Sequence, residues 1–248
     1  MTTESNRVCE LSFSTAHVRA MLLEDPLAYR VRKQTIVVNV GTINTAVLEQ
    51  PRKTIAPLHS TILRDVVIER GDKLLLLTVP ESSNCNGIVD EHGWKRYWDI
   101  LCDSIGPQQA AASGFPKDCP LWRSPQDAVG IVMLDSYALS GQVSACAKKE
   151  RLEIKVNLWF APAGTDAVIH NRHDFIEVHT QVCGSGRMQK FRTAEPETLY
   201  EDIPMAPGYS TSDPFCMVDD NGAFVYPWHR YYADTDCIWL AVEYHRAR

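Results

Sequence analysis

The chain has 248 residues, 45% apolar and 23% charged, an ordinary globular balance with length for one large β domain or two smaller ones. Its formal charge of -6 leaves no basic patch to release counterions from nucleic acid, and its longest apolar run, KLLLLTV, falls far short of a bilayer span. The opening residues MTTESNRVCELSFS resemble neither a signal peptide nor a transit peptide, so the expected location is cytoplasmic.

In chain order, TAHVRAMLLED (15–25) carries helical spacing and should stop before Pro26. QTIVVNV and TAVLEQ read as strands. STILRDVVIERGDKLLLLTVP reads as a hairpin turning at ERGD. EHGWKRYWDILCDSIG is the strongest helix, with Trp94, Tyr97, Trp98 and Leu101 at three- and four-residue intervals. The following PQQAAASGFPKDCPLWRSPQD holds four prolines among small and polar residues, and marks a connector.

After it the text is β throughout: VGIVMLDSYAL, RLEIKVNLWFAP, FIEVHTQV, RMQKF, TLYEDIPM, AFVYPWHRYY and CIWLAVEYH, separated by turn residues. Short strands at this spacing predict an antiparallel sandwich or barrel. The expected division is 1–127, a mixed α/β region or a degenerate copy of the same barrel, and 128–248, the barrel proper. Eight single cysteines, Cys9, Cys85, Cys102, Cys119, Cys146, Cys183, Cys216 and Cys237, include no CxxC pair and read as reduced core thiols.

The informative stretch is APAGTDAVIHNRHDFIEVHTQVCGSGRMQKF, residues 161–191. As a strand, EVHTQ puts Glu177, His179 and Gln181 on one face, and a buried ionisable group needs water, metal or ligand. On one straight strand His173 and Glu177 would stand roughly 13 Å apart. Metal bonds are about 2 Å long. Sharing an ion therefore requires the chain to turn between them, around DFI.

Gly164, His170, His173, Glu177 and Gly184, with intervals of five, two, three and six residues, resemble the first motif of the cupins, jelly-roll β-barrels that bind metal through two histidines and a glutamate. HNRH here has two residues between its histidines where the family has one, and Asn171 occupies the first histidine's place. His170 and His173 thus have opposite strand parity and need a bulge to converge. FVYPWHRYYADTDCIWLAVEY resembles the second motif, with Pro227 before His229 and a closing strand; the usual glycine after the proline is missing. An earlier segment, PGYST, has Thr211 where a histidine would be needed.

The resemblance covers roughly residues 128–246 and implies a mainly β, jelly-roll cupin barrel holding one divalent ion. His173, Glu177 and His229 are its expected ligands, with His170 or His179 as a fourth; His179 could instead contact substrate. Such ligands suit Fe(II), and would also hold Zn, Mn, Ni or Cu. Glu177, His179 and Tyr226 are the catalytic candidates, and Gln181, Arg187 and Trp228 the substrate-binding ones. Arg187, Lys190 and Arg192 could offer charge to an anionic substrate.

Three readings follow: an Fe(II) dioxygenase taking O2 and a small polar metabolite; an isomerase, lyase or cyclase using the metal as Lewis acid; and a metal- or ligand-binding module without turnover. A homodimer is expected from exposed strand edges. Fold alone does not choose among these.

Overall fold

The computed structural model describes residues 5–81, 85–139, 141–142, 149–213 and 215–247. Its first part is entirely β: β1 (Arg7–Glu10), β2 (Arg19–Glu24), β3 (Leu27–Val31), β4 (Thr35–Asn39), β5 (Thr45–Leu48), β6 (Lys53–Ile55), β7 (Ser60–Leu63), β8 (Val66–Arg70) and β9 (Lys73–Thr78). They form two antiparallel sheets of order β1-β2-β9-β4-β7 and β3-β8-β5-β6. The chain crosses between the sheets at nearly every turn, which makes a jelly roll.

The connector holds β10 (Lys95–Arg96), α1 (Tyr97–Ile105), α2 (Pro107–Ala112) and β11 (Trp122–Arg123). Tyr97, at the start of α1, packs edge-on against Phe115 and Trp159 with ring centroids 5.0 Å apart. Then come β12 (Asp127–Leu134), the one-turn helix α3 (Ser136–Leu139), β13 (Glu150–Ala161), β14 (Phe175–Cys183), β15 (Gly186–Phe191) and β16 (Leu199–Met205). Two short strands, β17 (Met217–Val218) and β18 (Phe224–Val225), precede β19 (Trp228–Ala233) and β20 (Cys237–Arg246). AFVYPWHRYY is therefore two strands, broken at Tyr226 and Pro227.

The second part repeats the first. One sheet runs β13-β20-β14 and is continued by a bridge from Thr180 to Ser210. The other runs β16-β15-β19 and is continued by bridges from Asp166 to Tyr232 and His170 to His229. Matching β13, β14, β15, β16, β19 and β20 to β2, β4, β5, β6, β8 and β9 gives the same strand order in both halves. The first barrel is made of strands up to Thr78, and the helices α1 and α2 lie in the connector that follows it.

Packing explains three departures from the expected elements. Within residues 15–25 the chain forms β2 (Arg19–Glu24), not a helix, because β2 is buried on both faces: Ala20 and Leu22 turn one way, Leu23 the other. A strand with two apolar faces loses the period-2 signal and mimics helical spacing. Leu74 and Leu76 of β9 likewise fill the first barrel, while Leu75 and Leu77 face the second. The ERGD turn exists, but β8 and β9 do not pair; they enter opposite sheets. Residues 136–139 turn into α3 instead of extending β12.

The largest core lies between the barrels. Leu22, Ile36, Val38, Leu75 and Leu77 from the first meet Ile154, Val156, Ile176, Val178, Leu240 and Val242 from the second. Each such side chain contributes about 2 kcal/mol when fully withdrawn from water. Ser60 adds a polar contact, donating to Gly208 O at 2.7 Å across the seam.

Cysteine usage also departs from expectation: Cys85 and Cys183 form a disulfide tying the connector to the end of β14. Cys9, Cys102, Cys119, Cys216 and Cys237 are free thiols. Cys146 lies outside the described residues. No helix among the described residues is long and apolar enough to cross a membrane.

Candidate metal centre

Strand β14 separates two environments by alternation. Ile176 and Val178 point into the core between the barrels, so Glu177 and His179 point into the second barrel. Opposite them, β19 brings in His229, fully buried. The backbone of His170 pairs with that of His229 in both directions, at 2.9 and 2.8 Å. His173 lies on the turn between this bridge and β14. The required reversal is there, in residues 171–174, just ahead of Phe175. No bulge is needed: His170 ends one segment and His173 belongs to the turn, so strand parity does not link them.

Three imidazoles converge. His173 Nε2 is 3.0 Å from His170 Nε2 and 3.1 Å from His229 Nε2. Glu177 Oε1 is 3.2 Å from His173 Nε2 and 3.5 Å from His229 Nε2. The tautomers follow from the other ring nitrogens: His170 Nδ1 meets Val168 O and His229 Nδ1 meets Pro227 O, both at 2.9 Å. Carbonyl oxygens only accept, so each Nδ1 carries the proton and each Nε2 presents a bare lone pair. Such lone pairs repel unless a cation joins them. Three nitrogens and a carboxylate oxygen, with two of the outer ring nitrogens anchored on carbonyls, fit a divalent transition metal.

The electrostatics agree. Burial lowers the His170 pKa to about 3, helped by His229 and His173. Burial also lowers those of His173 and His179, against the pull of Glu177. For Glu177, burial alone would raise the pKa, but the surrounding imidazoles overcome it and hold the carboxyl well below the usual range. At neutral pH the imidazoles of His170, His173 and His179 are therefore neutral beside one fixed negative charge.

His170, His173, Glu177 and His179 line a cavity of about 340 Å³ in the second barrel. Trp159 and Tyr231, from the aromatic stretches LWF and YPWHRYY, also line it, and the walls that escaped the sequence reading are Tyr97, Arg123, Gln126, Glu243 and His245. Arg123 lies over the Trp159 ring at 5.7 Å, and its Nε is buried without a hydrogen-bond partner. His179 Nδ1 and Trp239 Nε1, on the same walls, also lack partners. Buried polar atoms are nearly always satisfied, so a group of orphans on one cavity marks where a polar ligand belongs. Glu243 accepts from Gln126 Nε2 at 3.0 Å and Asn157 Nδ2 at 3.1 Å, and lies 2.8 Å from His245 Nε2. It is the direct cross-strand partner of Glu177.

The remaining candidates lie elsewhere. Arg187 is outside the cavity lining, held by Asp202 and Asp234 at 2.7 and 2.8 Å. The cation in the cavity is Arg123. The Tyr226 hydroxyl is committed to the backbone, accepting from Glu177 N at 3.0 Å and donating to Phe175 O at 2.9 Å. Burial raises its pKa far above the ordinary phenol value. Its visible role is to fix the first turn of β14. Gln181 is buried and donates to Cys183 O, and Trp228 packs at the start of β19; neither lines the cavity. Thr211, read as the wrong residue for a ligand, receives the His179 N–H at 3.0 Å.

No protein-family model and no curated protein matches the chain. Among solved structures it is similar to a mutant of Bacillus subtilis oxalate decarboxylase, at 10% identity over 100% of this chain and 75% of that one, TM-score 0.29. An RmlC-like cupin protein from Desulfovibrio desulfuricans shares 16% identity over 36% of this chain and 70% of its own, TM-score 0.26. Ectoine synthase from P. lautus shares 17% over 38% and 55%, TM-score 0.26. The strand order decides the fold, because both halves close as the same two-sheet jelly roll. The fold is a duplicated antiparallel jelly roll. Among the described residues, only the second barrel gathers three or more potential metal ligands at one point.

Proposed function

We propose that the second barrel is a metal-dependent active site for a small, polar, anionic metabolite, and that its reaction is an oxygenation supported by Fe(II). The observation that carries the proposal is the convergence of three imidazole Nε2 atoms, at least two of them bare, and an ionised carboxylate beside a cavity with three unpartnered buried nitrogens, on Arg123, His179 and Trp239. His170, His173, Glu177 and His229 would hold the ion. Iron would supply O2 activation; Mn, Zn, Ni or Cu would fit the same donors.

The protein's own groups have distinct tasks. Arg123 binds the anionic end of the substrate through its unused guanidinium edge, and Trp159 beneath it fixes that edge. His179, between Glu177 and the Tyr231 ring at a 4.1 Å centroid distance, directs its free Nδ1 at the bound molecule. Glu243 and His245 hold a proton between Oε2 and Nε2 at the cavity wall. The apolar walls of β13 and β20 keep bulk water away.

That same pair favours a second reading, an isomerase, lyase or cyclase in which the metal polarises a carbonyl and Glu243–His245 moves the proton. Elemental analysis of protein purified without added metal should find about one divalent ion per chain. Turnover of small carboxylates by anaerobically iron-loaded protein should then start only when O2 is admitted. Equal turnover without O2 eliminates the oxygenase and leaves the Lewis-acid enzyme; metal-free protein with no affinity for Fe(II) or Mn(II) eliminates both.

A further inference from the structure

We propose that the first barrel is a second ligand site, taking a small organic anion with a compact apolar body. It contains a cavity of about 1000 Å³, larger than the one in the second barrel. Its floor is apolar, from Met21, Val31 and Leu76, and the Thr35 and Thr78 hydroxyls meet there at 3.2 Å. Its rim carries five cations, Arg19, Arg30, Arg32, Lys33 and Arg64, against the single carboxylate Glu81.

Two comparisons make this rim more than a solvated face. The whole chain is acidic, at -6, yet one cavity mouth collects a fifth of its 25 basic residues. Of the five, Arg30 is already paired, with Asp65. Arg19, Arg32, Lys33 and Arg64 have no ion pair among the described residues.

The second comparison is between the barrels. Arg32 and Lys33 occupy the turn before β4, and His173 occupies the corresponding turn before β14. Glu177 is the third residue of β14, and the third residue of β4 is Val37, buried in the first barrel's core. The first barrel has thus kept the cavity and its open end while exchanging metal ligands for an apolar floor and a guanidinium rim. Guanidinium groups pair with carboxylate or phosphate oxygens two at a time. The floor would take the carbon skeleton. Both anionic head groups share this chemistry.

Calorimetric titration of the full chain with benzoate, phenyl phosphate and neutral benzamide tests it, and comparing the two anions identifies the head group. At least one anion should bind, about tenfold or more tighter than benzamide, and should weaken as ionic strength rises from about 0.05 to about 0.5 M. The exposed pair Arg32→Ser with Arg64→Ser should lose about tenfold in affinity or more, and Arg64→Ser alone should show part of that loss. His173→Ala should bind the anion as wild type does, which separates this site from the metal centre. Binding of neither anion overturns the proposal. So does equal affinity for benzamide, an undiminished affinity in the serine variants, or loss of binding in His173→Ala.

Discussion

The side chains at the centre differ in what each has already given to the fold. His170 and His229 spend Nδ1 on carbonyls, and Glu177 spends its backbone N–H on Tyr226, so these three are aimed before any ion arrives. His179 is not aimed this way: its Nδ1 is unpartnered and 4.0 Å from Glu177 Oε2. Replacing His173 or His229 by alanine should remove most bound metal, with circular dichroism unchanged. His179→Ala should retain the metal and lose turnover; metal lost in this variant would make His179 a ligand after all.

Acid provides a second test at this scale. His170, His173 and His179 have lowered pKa values in the fold, whereas unfolded imidazoles titrate near 6.5, so the unfolded chain binds more protons below that pH. Chelated protein should therefore be most stable above pH 6.5 and should lose stability steadily as pH falls. The loss continues towards pH 3, where His170 titrates, and Glu177, also lowered, adds to it below about pH 4.5. Urea midpoints between pH 8 and 4 measure this; a flat profile contradicts the neutral-imidazole assignment. Glu177 and His179 were legible in the sequence because strand alternation puts them on one face. Arg123 and Glu243 were not, since each is an isolated residue in its strand, and only the register of β14 against β20 brings Glu243 beside Glu177.

Strands β13, β14 and β20 are walls with a different core on each side. Leu240 faces the seam between barrels, while its neighbours Trp239 and Ala241 face into the second barrel. Leu240→Ala should cost about 3 kcal/mol in chemical denaturation and leave metal content unchanged. A loss of metal on that substitution would mean the wall deforms as a unit. Two-sided burial is also why one N-terminal element misled: the stretch VRAMLL hides its alternation when both faces are apolar. The strand readings in 128–248 were helped by the turn residues that bound each run, and the ERGD turn failed only in its pairing, because a turn fixes a reversal but not which sheet receives the next strand.

In the whole molecule the two barrels hold each other. The sheet β13-β20-β14 presents Ile154, Val156, Val178 and Val242 to the first barrel. A fragment of residues 128–248 would expose that face, and such a patch drives association. It should elute from size exclusion as dimers or aggregates while the full chain does not aggregate; a stable monomeric fragment would show that the barrel needs no partner. The duplication itself was scarcely legible, because the first barrel has replaced the residues that made the second recognisable.

One backbone layer, β14, separates the ion-binding chamber from the oily seam. A slip of a single residue would drive imidazole into hydrocarbon and valine into the chamber, with no intermediate arrangement available. The number of ions per chain in a preparation is thus also a count of correctly threaded molecules, and supplying metal during refolding should draw the population towards that one alignment.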